Sequence, residues 1–134
     1  MSQRILVATD FSQSADAAWR WAVDVGRSLD ADLRLVHVAM PMAAEAPSNL
    51  HQDYERDLSL AQRLLDERAA AAVPASRVKT ILRRGEPVHV LAALAGNEHI
   101  DLVVVGISIT GPRTSSWVVS LSASSSLLRV QWAW

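Results

Sequence analysis

The chain has 134 residues, 50% hydrophobic and 20% charged, which suits a single domain spanning 1–134 around one hydrophobic core. It has no cysteine, so disulfides, Cys-based zinc sites and thiol nucleophiles are excluded, and a reducing, cytoplasmic setting is the expectation. Thirteen basic against fourteen acidic residues leave a net charge of -1, too little field to make nucleic acid an expected partner. No apolar stretch approaches the roughly 18 residues of a membrane span, and Asp10 follows Arg4 too closely for a secretion signal; no membrane partner is expected.

RILVAT (4–9) is a short continuous apolar run, as in a strand buried on both faces, and DFSQS then supplies helix-start chemistry. Ala15, Ala18, Ala22, Val25 and Leu29 recur at spacings of three and four and predict a helix over 14–29 with a small-residue inner stripe. LRLVHVAM (33–40) is a second buried strand, which Pro41 forbids from continuing, and 42–49 is a loop. Leu58, Ala61, Leu65 and Ala69 mark a helix over 50–72 that Pro74 ends.

Residues 78–82 form a short third strand, Gly85 turns, and Pro87 suits the first turn of a helix reaching about Ala95. After Gly96 and Asn97, LVVVG (102–106) is the most β-branched run in the chain and predicts a central fourth strand. The Ser-rich stretch 115–126 has poor helix propensity and partly alternates like a strand; it is expected as a poor helix. Val130, Trp132 and Trp134 then fall on one side of an edge strand. Strands alternating with helices at this spacing imply an α/β layer built on a parallel sheet.

In open parallel sheets, ligands bind outside the carboxyl ends of the strands where crossovers diverge. Three places are therefore privileged: Ala8-Thr9-Asp10, Val38-Ala39, and the loop from Gly106 to Gly111. Glycines there let backbone amides approach phosphate oxygens, and a following helix N-terminus adds partial positive charge, so a nucleotide is the natural ligand. Asp10, with Ser12 and Ser14 beside it, equally suits helix capping. His37, in a buried strand without Cys, a second close His or an acidic cluster, reads as a hydrogen-bonded core residue; no metal site is expected.

ILVATDFSQSADAAWRWA, LRLVHV, RRGEP and DLVVVG, in that order and spacing, closely resemble the universal stress protein family over almost the whole chain. The resemblance implies an open five-stranded parallel sheet in the order 3-2-1-4-5 with helices on both faces. It also implies a homodimer, often joined through the last strand, and a division between members that bind ATP and members that do not. The dividing motif is Gly, two residues, Gly, nine residues, then Gly-Ser or Gly-Thr. Here Gly106 stands first, Ile109 occupies the second position, Gly111 arrives two residues late, and Leu121-Ser122 replaces the final pair. A side chain at Leu121 opposes close approach of a phosphate. Residue by residue, the transferred nucleotide site is Ala8, Asp10, Val38, Gly106, Gly111 and Ser122, with Arg113 as nearest phosphate partner.

Two functions follow. One is a stress-response regulatory protein binding ATP or another adenine nucleotide, any metal being Mg carried by the nucleotide. The other is a regulatory protein of the same fold that binds no nucleotide and acts through dimer contacts or an unidentified protein partner. No catalytic residues are assigned, because a P-loop Lys, paired carboxylates and a Ser-His-Asp set are all missing, so any ATP hydrolysis would be slow and incidental.

Overall fold

Short apolar runs become strands and small-residue stripes become helices along most of the chain. The computed structural model describes residues 3–72, 77–107, 115–120 and 129–133. In chain order these form β1 (Arg4–Ala8), α1 (Gln13–Leu29), β2 (Asp32–Ala39), α2 (Ser48–Ala71), β3 (Val78–Arg84) and α3 (Pro87–Asn97). β4 (Leu102–Ile107), β5 (Ser115–Ser120) and β6 (Arg129–Ala133) complete them.

The helix ends are specified locally. Ser12 caps α1, its hydroxyl accepting from the Ala15 N–H at 3.2 Å, and Asp30 closes it in a left-handed conformation at φ 56°. Glu86 caps α3 by accepting from the His89 N–H at 3.2 Å, with Pro87 in the first turn.

The strands lie in the order β3-β2-β1-β4-β5-β6. The first four are mutually parallel, as the alternation of strands and helices predicts. Beyond β4 the sheet departs from expectation: β5 and β6 run antiparallel, so the sheet has six strands and its fifth position is reversed. The stretch expected to begin a poor helix at Ser115 is instead strand as far as Ser120. Two physical reasons apply. Trp117, Val118 and Val119 favour extended backbone, and the segment between Ile107 and Ser115 is too short for a crossover helix, so the chain returns as a hairpin. The expected closing edge strand is present as β6.

One core cluster joins the sheet to α1 and α2: Ile5, Val7, Leu35 and Val104 pack with Ala18, Ala22 and Leu65. On the opposite face Leu6, Val36 and Val103 pack with Leu94 and Ala95 of α3 and with Ile100. Helices therefore cover both faces. Among the described residues no helix is long and apolar enough to cross a membrane.

Candidate functional site

β1 lies between β2 and β4 and is the shortest strand of the parallel set, ending at Ala8. Ala8 is in register with Val36 of β2 and Val105 of β4, and both neighbours continue beyond it, to Ala39 and Ile107. The result is a notch at the carboxyl end of the sheet, floored by Ala8 and flanked by the ends of β2 and β4. The crossovers after β1 and β2 leave toward the α1/α2 face and the one after β3 toward the other, which makes this the expected place for a ligand.

The turn leaving β1 is held by its own polar groups. The Thr9 N–H donates to the Val36 carbonyl at 2.9 Å, extending the ladder by one residue. The Thr9 hydroxyl accepts from the Phe11 N–H at 3.0 Å, and Asp10 Oδ1 accepts from the Ser12 N–H at 2.9 Å. These two local bonds offset the left-handed backbone of Phe11, at φ 63°. The Phe11 ring lies against the His37 imidazole, centroids 4.7 Å apart, and the Arg68 guanidinium sits 5.1 Å from its centroid. Arg68 in turn holds Asp16 of α1 through two nitrogens, at 2.7 and 3.2 Å.

Of the residues expected to form the site, Ala8, Asp10, Val38 and Gly106 are brought to the same end of the sheet. Asp10 is exposed; one carboxylate oxygen is committed to the turn and the other makes no hydrogen bond among the described residues. Capping of α1 belongs to Ser12 rather than to Asp10. Gly106 does not open a loop: it is still in β4, paired with Ser116. Gly111, Arg113 and Ser122, and with them Ile109 and Leu121, lie outside the described residues.

His37 is hydrogen-bonded as expected, its Nδ1 2.8 Å from the Thr9 carbonyl. Sequence reasoning missed the roles of Thr9, Phe11 and Arg68. The dipeptide Asp10-Phe11 directly after a strand was the available signal for a sharp turn, but the partnership with Arg68 spans three elements and leaves no local trace. Among the described residues no group of three or more His, Asp or Glu side chains is placed to hold a metal ion.

The sequence profile of the universal stress protein family matches residues 1–124. This chain belongs to the universal stress protein family. A sequence comparison with curated proteins finds no significant match. Among solved structures, the universal stress protein UspA from Lactobacillus plantarum is 25% identical with a TM-score of 0.71, over 83% of this chain and 81% of that one. A universal stress protein family protein from Arabidopsis thaliana with AMP bound is 20% identical, TM-score 0.61, over 82% and 80% of the two chains. The universal stress protein from Archaeoglobus fulgidus in complex with dAMP is 19% identical, TM-score 0.61, over 80% and 82%. At these identities the last two establish likeness of fold.

Proposed function

We propose that this universal stress protein is a stress-response regulator that binds an adenine nucleotide at the carboxyl ends of β1, β2 and β4. The observation that carries the reading is the Asp10 carboxylate at the rim of the notch, anchored through one oxygen and open at the other. A carboxylate fixed in this way accepts hydrogen bonds from ribose hydroxyls or an exocyclic amine without first giving up conformational freedom. The backbone of Val38, on the β1 side of β2 and beyond the last residue of β1, stands across the notch for the base. The AMP and dAMP held by two proteins of this fold support the choice of ligand class. Gly106, Gly111, Arg113 and Ser122 are assigned to the phosphate end on the strength of the family motif, with any Mg arriving on the nucleotide. Such a protein acts in the cytoplasm, as a homodimer whose surface the ligand alters, and not as an enzyme.

A second reading, a regulator that binds no nucleotide, rests on Leu121 standing where the family motif has glycine. Calorimetric titration with AMP and ATP separates the two when run on wild type, Asp10→Asn and Asp10→Ala. Asparagine keeps the turn through its own oxygen while losing the charge. The expected result is saturable binding to wild type and binding weaker by about tenfold in Asp10→Asn at unchanged stability. Absence of binding to wild type, or equal affinity in all three, overturns the first reading.

A further inference from the structure

β2 carries a cation on the face that α3 covers. Arg34 is in register with Leu6 of β1 and Lys79 of β3, and its side chain is only 8% exposed. A guanidinium so placed calls for close anionic partners. Instead, Nη1 donates to the Leu33 carbonyl at 3.4 Å and Nε lies 3.8 Å from Glu98 Oε2. Both are long beside the roughly 2.7–2.9 Å of a charge-assisted bond, and nothing else among the described residues engages this side chain.

The surrounding charges do not supply what is missing. Arg4 Nη1 donates to the Glu98 carbonyl at 2.7 Å, while Asp101 is occupied by the Arg4 backbone N–H at 2.9 Å. Asp32 is paired with Arg77 at 3.0 Å. Lys79 is exposed and has no carboxylate partner among the described residues. Register places Arg4, Arg34 and Lys79 on one face, with Glu98 as the one carboxylate beside Arg34. Cations side by side on adjacent strands repel unless an anion lies between them.

We propose that Arg34 and Lys79 form a binding site for a tetrahedral phosphate dianion, entered from the β3 edge. The Arg34 fork offers directed donors, the Lys79 ammonium closes over the anion from the exposed side, and Arg4 strengthens the field. Glu98 is an internal competitor that occupies Arg34 weakly when no phosphate is bound. Entry is open because α3 packs over Leu6, Val36 and Val103, leaving Ile81 of β3 half-exposed. This site is separate from the nucleotide notch: Arg34 precedes Val38 by four residues, roughly 13 Å along an extended strand.

The test is titration of the full chain with inorganic phosphate at low ionic strength, followed by backbone amide chemical shifts. Saturable shifts are expected at Arg34, Lys79 and Glu98, weakened about tenfold by Lys79→Gln and strengthened by Glu98→Gln, which removes the competitor. Glycerol phosphate binding more tightly than inorganic phosphate makes the occupant a phosphomonoester; the reverse makes it the free ion, and either upholds the site. Shifts that do not saturate, or that neither variant alters, overturn the proposal.

Discussion

The His37 imidazole and the Thr9 carbonyl, 2.8 Å apart, tie β2 to the turn that leaves β1. A carbonyl oxygen only accepts, so Nδ1 carries the proton and donates. The same ring packs on Phe11, so His37 supports the left-handed residue of the turn both by its hydrogen bond and by its face. His37→Ala is expected to lower unfolding stability by about 1–3 kcal/mol in urea titration, through the lost bond and the space left beneath Phe11. Stability within experimental error of wild type would show that the turn holds without this tie.

Arg68 joins α2 to α1 and to the turn at once. Its two bonds to Asp16 are bidentate and only partly exposed, 21% for Arg68 and 38% for Asp16, which sets the pair apart from an ordinary surface ion pair. A double-mutant cycle with Arg68→Ala and Asp16→Ala should give a coupling of about 1 kcal/mol, and Arg68→Ala alone a larger loss because contact with the Phe11 ring goes as well. Strictly additive effects would contradict the pairing.

Gly85 stands between β3 and α3 at φ 147°, donating its N–H to the Ala39 carbonyl at 2.9 Å. A Cβ there would meet Val90 Cγ2 at 2.8 Å. Gly85→Ala combines a disfavoured backbone with that collision and is expected to cost about 2–3 kcal/mol, read as a lowered thermal midpoint. A variant as stable as wild type would mean that the turn relaxes freely.

β6 is the last strand of the sheet, with Trp132 in register with Trp117 of β5. Among the described strands none pairs with the outer edge of β6, and an edge strand with large apolar residues in its sequence invites pairing with a second copy, which supports the proposed homodimer. Trp132→Ala combined with Trp134→Ala should shift the protein toward monomer in sedimentation velocity, the dissociation constant rising by about tenfold or more. An unaltered oligomer would place the contact elsewhere.

The parallel part of the fold was legible because each of its elements carries a local signal. Ala15, Ala18 and Ala22 mark the inner stripe of α1, Pro41 stops β2, Gly85 turns the chain, and apolar runs mark β2 and β4. The β5 reversal was less legible, since Trp117, Val118 and Val119 favour a strand among serines that do not, and its antiparallel direction follows from pairing with β4 rather than from local propensity. At the site, Asp10 and Val38 could be placed because strand ends are visible in the sequence. The Phe11, His37 and Arg68 cluster could not, because pairing of β1 with β2 brings His37 to Phe11 and α2 brings Arg68 to both, contacts between distant parts of the chain.

Nucleotide binding is tested most directly by denaturing freshly purified protein, separating the released small molecules by ion-exchange chromatography, and titrating the nucleotide-free protein with ATP and AMP. Released adenine nucleotide or saturable micromolar binding, lost in part on Asp10→Asn, is expected. Neither release nor any binding heat would contradict it and assign the fold to regulation without a nucleotide.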